Sequence, residues 1–128
     1  MVRAVIVGHG VFAENMLKTA EGIVGKQELV DVLSNVGLSC AVLDDQLKNL
    51  LEKDRKHEAI FFVDLPGGSC TISCFKLLKD ENNLHIICGF NLPMLIEFFM
   101  LREKHTAGEL VPILIKKGRE NIFELEKK

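Results

Sequence analysis

The sequence has no excess of charge of either sign, since its 128 residues include 16 Lys and Arg and 18 Asp and Glu, for a formal net charge of −2. Proteins that bind nucleic acid without sequence preference need a clear basic excess, so this balance argues against a nucleic-acid partner. A hydrophobic content of 48% excludes a disordered chain. We therefore expect one compact domain with its own hydrophobic core.

The sequence also lacks any apolar run that approaches the roughly 20 residues of a bilayer-spanning helix. Its first ten residues, MVRAVIVGHG, have neither the basic start nor the apolar core of a signal peptide. The four cysteines, Cys40, Cys70, Cys74 and Cys88, do not have the paired spacing of a zinc site, and we expect them to be buried, reduced thiols. These absences predict a cytoplasmic protein with no metal site and no cofactor.

The apolar residues that are present predict strands alternating with helices. Short β-branched or continuous apolar runs predict strands at residues 3–7, 29–33, 59–63 and 84–88. Apolar residues at helical spacing predict helices at 10–24, 40–53, 69–78 and 93–103, with Ser69 as the cap of the third. This alternation predicts an α/β fold, a small doubly wound parallel sheet of four strands with helices on both faces. The tail, residues 108–128, begins as a helix and is ambiguous at its end.

Three of the predicted strands end in polar, glycine-rich turns, at residues 8–10, 64–69 and 89–91. In an open parallel sheet, ligands and reacting groups lie beyond the carboxyl ends of the strands. If the three turns converge, His9, Asp64, Ser69 and Asn91 share one crevice, with Asn91 at its periphery.

His9 lies between two glycines at the predicted start of a helix, so a large partner can reach its imidazole. The backbone N–H groups beside Gly10 and the positive end of the helix favour an anionic product, such as a phosphorylated imidazole. One ring nitrogen must be held protonated for the other to attack, and Asp64 is the natural carboxylate for that. The alternative is a histidine that completes a strand–helix turn and has no chemistry.

The segment Asp64-Leu65-Pro66-Gly67-Gly68-Ser69 predicts an anion site, because Gly67 and Gly68 let backbone amides approach closely and Ser69 adds a hydroxyl. The alternative is an ordinary turn with local caps. The segment is not a Walker A loop. The GHGVFA sequence around His9 is not followed by an acidic residue at the end of the second predicted strand, where a dinucleotide site requires one to hold the ribose.

Taken together, these residues resemble the mannose-family IIA domain of the bacterial phosphoenolpyruvate-dependent sugar phosphotransferase system. His9 with its glycines, followed by Ala13-Glu14 and by LKTAE at 17–21, is similar to the opening of that domain. Asp64 with Gly67-Gly68-Ser69 resembles its second signature. The segment GFNLPML at 89–95 resembles its third signature, and Gly118-Arg119-Glu120 a fourth. The resemblance therefore spans almost the whole chain in the family's order.

The resemblance implies a phosphocarrier domain over residues 1–128. In the family, the histidine matching His9 accepts a phosphoryl group from phospho-HPr and passes it to a IIB domain, which serves sugar uptake by membrane IIC and IID subunits. The position matching Asp64 orients the imidazole, and the serine matching Ser69 forms a hydrogen bond within the site. The family fold also implies a homodimer with an exchanged C-terminal strand. Any association with the inner membrane would be peripheral, through the transporter subunits.

The chain departs from the family pattern directly after the serine of the second signature. The family usually has Pro at the position of Cys70 and often Asn at the position of Ile72. These departures leave the transfer residues intact. We expect them to bear on the contacts with partner proteins and on which sugar is transported. The competing function is a non-catalytic α/β module that binds an anionic ligand in the same crevice and acts as a sensor or regulator.

Overall fold

The computed structural model describes residues 1–127, without the side chain of Ser69. Its strands are β1 Arg3–Gly8, β2 Val30–Ser34, β3 Ala59–Val63 and β4 Leu84–Cys88. The helices of the described chain are α1 Phe12–Val24, α2 Cys40–Glu52, α3 Gly68–Leu78, α4 Leu92–Leu101 and α5 Ala107–Glu120. The predicted alternation of strands and helices is confirmed. The first part of the tail forms α5, which starts with a capping box between Thr106 and Glu109.

The four strands form one parallel sheet in the order β2-β1-β3-β4. The register pairs Gly8 with Ser34, Val7 with Val63, and Val63 with Cys88. All four strands therefore end at the same edge of the sheet, which we call the carboxyl edge. The central strands β1 and β3 reach this edge side by side, so the residues that follow them are neighbours.

Both faces of the sheet are covered, which explains why the central strands β1 and β3 are apolar along most of their length. On one face, α1, α4 and α5 pack on alternate strand residues, namely Ala4, Ile6, Ile60 and Phe62. On the other face, α2 and α3 pack on the residues between them, namely Val5, Val7, Phe61 and Val63. The doubly wound α/β fold with helices on both faces is confirmed.

The helix after β3 begins earlier than the sequence predicts. Its cap is Gly67 rather than Ser69, and the backbone of Ser69 lies inside α3. Gly67 and Gly68 have φ values of +82° and +78°, a region that residues with a β-carbon rarely adopt. These two glycines let the chain turn into the helix without a side-chain cap. The side chain of Ser69 lies outside the described part of the structure.

The prediction that all four thiols are buried is correct for two cysteines and wrong for the others. Cys70 and Cys74 lie on the buried face of α3, whereas Cys40 in the first turn of α2 and Cys88 at the end of the edge strand β4 are exposed. None of the four forms a disulfide. Burial raises the pKa of Cys74 to about 12, so its thiol stays protonated at neutral pH.

Residues 121–127 follow α5 without regular secondary structure. Their apolar side chains Ile122, Phe123 and Leu125 are 73%, 68% and 87% exposed. An additional C-terminal strand is therefore not seen within the described residues. None of the helices in residues 1–127 combines the length and apolarity that crossing a bilayer requires.

Candidate active site

His9 and Asp64 meet at the carboxyl edge because each directly follows a central strand. His9 Nδ1 lies 2.9 Å from Asp64 Oδ2, and the backbone N–H of His9 donates to the same oxygen at 2.9 Å. The two residues are 55 positions apart in sequence. The pairing of β1 with β3 therefore creates this contact.

The contact determines which nitrogen of the imidazole is available for chemistry. A carboxylate only accepts hydrogen bonds, so the bond to Asp64 places the proton of a neutral His9 on Nδ1. The lone pair is then on Nε2. The side chain of His9 is 49% exposed, whereas that of Asp64 is 9% exposed. The pair therefore combines a largely buried carboxylate with a half-exposed imidazole whose Nε2 can act as a nucleophile.

Gly8 has a role that the sequence analysis missed. A β-carbon at this position would lie 3.3 Å from Asp64 Oδ2 and 3.3 Å from Phe12 Cδ2. A glycine therefore leaves room for the carboxylate to approach the backbone at His9. The G-H-G sequence contained this signal, although we interpreted its glycines only as giving access to the imidazole.

The glycines predicted to bind an anion lie in the turns beside the pair. Gly10, with φ +56°, lies between His9 and the start of α1, and Gly67 and Gly68 lead from Asp64 into α3. The first N–H groups of a helix have no partner within the helix and are available to an anion. The hydroxyl of Thr71 donates to the carbonyl oxygen of Leu65 at 2.8 Å and holds the second turn.

Asn91 has two structural partners that the sequence analysis did not foresee. Its Oδ1 accepts from the N–H of Met94 at 3.1 Å and caps α4, while its Nδ2 donates to the carbonyl oxygen of Gly118 at 3.0 Å. A β-carbon on Gly118 would lie 2.7 Å from Met94 Cε and 3.3 Å from Asn91 Oδ1. Asn91 therefore fastens the start of α4 to the end of α5.

An open groove, rather than a closed pocket, leads away from His9 between α1 and the start of α4. The groove is lined by His9, Val11, Phe12, Asn15, Met16, Thr19 and Leu92. Its walls are apolar for the most part, and it gives a large molecule access to the imidazole. Within residues 1–127, no three His, Cys, Asp or Glu side chains come together as a metal-binding group.

The departures from the family pattern at Cys70 and Ile72 lie on opposite sides of α3. Cys70 is 1% exposed, and burial together with the negative charge of Asp64 raises the pKa of its thiol. Ile72 is 57% exposed. Cys70 therefore belongs to the core beneath the site, while Ile72 belongs to the surface beside it.

Comparison with known proteins assigns the chain to a family. The model of the family described as "PTS system fructose IIA component", EIIA-man, matches residues 3–115. The chain belongs to this mannose-type IIA family of the phosphotransferase system. It is similar to the mannose-specific EIIAB component of Escherichia coli (strain K12), with 34% identity over 138 aligned positions, 100% of this chain and 41% of that protein. The IIA chain thus spans about two fifths of the length of that relative.

Two further relatives support the same family. The fructose-specific EIIA component of Bacillus subtilis (strain 168) is 28% identical over 113 residues, which cover 87% of the IIA chain and 77% of that protein. The crystal structure of a phosphotransferase system component EIIA from Streptococcus agalactiae has a TM-score of 0.89 and 26% identity, and the match covers 97% of both chains. The fold of this IIA chain is therefore that of solved EIIA structures.

The two bonds of Asn91 lead to a stability prediction for the IIA chain. Asn91→Ala removes the cap of α4 and the bond to Gly118, and we expect the free energy of unfolding to fall by about 1–3 kcal/mol in urea titration. Asn91→Asp keeps an acceptor for the N–H of Met94 but cannot donate to Gly118, so its loss should be smaller. Equal losses in both variants would show that the cap contributes nothing.

Proposed function

We propose that this IIA chain, as a single domain, is a cytoplasmic phosphoryl carrier. His9 accepts a phosphoryl group from phospho-HPr and passes it to a IIB domain, which serves sugar uptake through membrane IIC and IID subunits. The observation that carries the proposal is the 2.9 Å contact of His9 Nδ1 with the largely buried carboxylate of Asp64, which leaves Nε2 of the half-exposed imidazole outside that bond. The mannose- and fructose-specific names of the relatives support a sugar as the final acceptor.

In the first transfer, the lone pair of His9 Nε2 attacks the phosphorus of the donor in line with the bond that breaks. A new N–P bond forms at Nε2, and the electron pair of the old bond returns to the donor nitrogen. His9 keeps its proton on Nδ1, where the negative charge of Asp64 stabilises the positively charged ring. The second transfer runs in the opposite sense, with Nε2 as the leaving group and the IIB residue as the nucleophile.

Phosphoryl oxygens carry the negative charge throughout both transfers, so they need hydrogen-bond donors. The proposal assigns this role to the backbone amides at Gly10, Gly67 and Gly68, near the starts of α1 and α3. It also assigns a hydrogen bond to the hydroxyl of Ser69. It gives no role to a metal ion or cofactor, because His9 and the reacting residues of the two partners make and break the bonds to phosphorus.

His9→Ala should abolish phosphorylation and leave the fold intact. Incubation of the IIA chain with phosphoenolpyruvate, enzyme I and HPr should add one phosphoryl group, about 80 Da, to its intact mass. The added mass should be lost in mild acid and survive base, as a phosphohistidine does. The chain offers a matched control, because His57 also has a carboxylate on Nδ1, with Asp54 Oδ2 at 2.8 Å.

His57→Ala should therefore be phosphorylated as the unaltered chain is. Addition of phosphate to His9→Ala, or its loss in His57→Ala, would contradict the assignment to His9. If the unaltered chain gains no mass while a related IIA protein does, the carrier proposal fails. An anionic molecule that binds the chain and exchanges on dilution would then favour the sensor function.

Asp64→Asn should slow the transfer without abolishing it. The amide oxygen of Asn can still accept from Nδ1 and from the backbone of His9, but the charge that stabilises the phosphorylated ring is lost. We expect the rate of phosphorylation to fall about tenfold to 100-fold, as orienting groups of reactive side chains typically contribute. Rapid-quench measurement with phospho-HPr tests this, and an unchanged rate would show that the carboxylate is not needed.

The proposal includes a homodimer in which the C-terminal segment pairs with β4 of a second copy. Two observations support it: β4 is an edge strand, and Ile122, Phe123 and Leu125 are exposed on the segment after α5. An edge strand offers unpaired backbone groups to another strand. The exchange would bury these apolar side chains.

Removal of residues 122–128 should therefore convert the protein from a dimer to a monomer in light scattering. Ile23→Ser, which alters an exposed apolar residue on α1, serves as the control and should remain dimeric. A full chain that is monomeric at all accessible concentrations would contradict the dimer. A dimer that persists after truncation would contradict the exchanged segment.

A further inference from the structure

The side chains of Phe12 and Asp64 border the same small space above Gly8. A β-carbon on Gly8 would lie 3.3 Å from Phe12 Cδ2 and 3.3 Å from Asp64 Oδ2, so one methyl group would touch both. Oδ2 is the atom that accepts from the backbone N–H and from Nδ1 of His9. The ring of Phe12 therefore lies beside the hydrogen bonds on which the candidate site depends.

The backbone fixes Phe12 relative to His9. The N–H of Phe12 donates to the carbonyl oxygen of His9 at 3.1 Å, which closes a turn over residues 9–12. Gly10 gives this turn its shape with a φ of +56°. Phe12 is also the first residue of α1. The turn and the helix together hold the backbone of Phe12 in place beside the imidazole.

A row of aromatic rings supports the Phe12 side chain from the core. The ring of Phe12 meets that of Phe90 edge to face, with centroids 5.9 Å apart and planes at 75°. Phe90 meets Phe62 in the same manner at 5.5 Å, and Phe62 meets Phe98 at 5.1 Å. Phe62 and Phe98 are fully buried, whereas Phe12 is 38% exposed. Phe12 is therefore the outer end of a row that begins in the core, and the edge-to-face contacts stabilise its orientation.

The carboxylate of Asp64 is far less exposed than the imidazole that it orients. Water that reached Oδ2 would compete with Nδ1 of His9 for this acceptor. A hydrogen bond to a charged acceptor is stronger where water is excluded. A phenyl ring at the border of this space offers water no comparable hydrogen-bond partner. The position of Phe12 therefore favours the bond between His9 and Asp64 over hydration of the carboxylate.

We propose that Phe12 is a positioning residue, whose ring keeps water from Asp64 Oδ2 and so holds the proton of a neutral His9 on Nδ1. Its effect on transfer rests on the proposed carrier function, because only the tautomer with a free Nε2 can attack phosphorus. The placement of the proton is a property of the unphosphorylated chain and does not depend on that function. Phe12 acts through Asp64 rather than on the phosphoryl group.

The first test measures the tautomer of His9 by nitrogen NMR of the isotopically labelled, unphosphorylated chain at alkaline pH, with His9→Ala to assign the signals. The unaltered chain should have a protonated Nδ1 and an unprotonated Nε2. In Phe12→Ala the form with its proton on Nε2 should appear, because water then competes for Oδ2. Phe12→Leu keeps an apolar side chain and should largely preserve the original tautomer. The same tautomer in Phe12→Ala as in the unaltered chain would overturn the inference.

The second test separates positioning from contact with the donor. We expect Phe12→Ala to lower kcat for transfer from purified phospho-HPr about threefold to tenfold with little change in KM, because the reactive tautomer is depleted. A rise in KM with kcat unchanged would show that the ring contacts the donor instead, and the inference would fail.

The matched control for this test is Phe75→Leu, which removes a ring that is 62% exposed on α3 and should leave both constants unchanged. If the unaltered chain is not phosphorylated at all, the carrier function fails, and the tautomer measurement still decides the role of Phe12.

The third test fills the space above Gly8. The φ of Gly8 lies outside the left-handed region, so alanine can adopt its backbone, but its methyl group would press on both the ring and the carboxylate. Gly8→Ala should therefore lower kcat. Combining it with Phe12→Leu, which removes the ring atom nearest to the methyl group, should restore part of the loss. Strictly additive effects would show that the two side chains do not share this space and would contradict the inference. Thermal unfolding of each variant shows that the altered chains are folded.

Discussion

The candidate active site depends on the pairing of β1 with β3. His9 and Asp64 are the first residues after these two strands, and the register that aligns Val7 with Val63 places both side chains at the same level of the carboxyl edge. Both strands are buried on both faces, so a shift of one residue would move apolar side chains from one packed face to the other. The core of the protein therefore sets the geometry of an exposed histidine.

The two edges of the sheet are held by different kinds of interaction. At the amino edge, the buried guanidinium of Arg3 donates to the backbone carbonyl oxygens of Leu50 and Asp54 and pairs with Asp31 at 3.4 Å. Lys53 also binds Asp31, at 2.8 Å. These bonds hold the end of α2 and the segment that follows it against β1 and β2. The carboxyl edge is held by backbone contacts, glycine turns and the side-chain bonds of Thr71 and Asn91, and His9 stays half exposed there.

The sequence predicted most of the fold, because alternating apolar runs and helical spacing reflect burial directly. It also predicted that His9 and Asp64 lie at the same edge of the sheet, with Asp64 as the carboxylate for the imidazole. It did not predict the closeness of Gly8 to the carboxylate or the bonds of Asn91 to Met94 and Gly118. Those contacts join residues distant in sequence, and their distances depend on how helices pack. The sequence also did not predict the exposure of Cys88. An apolar strand has the same sequence pattern at the centre and at the edge of a sheet, and the position of β4 depends on strand order.

Residues 1–127 contain two histidine–carboxylate pairs, and their comparison shows why one is the better candidate. Asp54 accepts from the backbone N–H groups of Lys56 and His57 as well as from the ring of His57, so that pair completes a local turn. His9 reaches its carboxylate across two strands and has glycines rather than charged residues on either side. A hydrogen bond to a carboxylate orients the imidazole in both cases. His9, unlike His57, lies beside glycine turns and helix starts, whose first N–H groups are available to an anion.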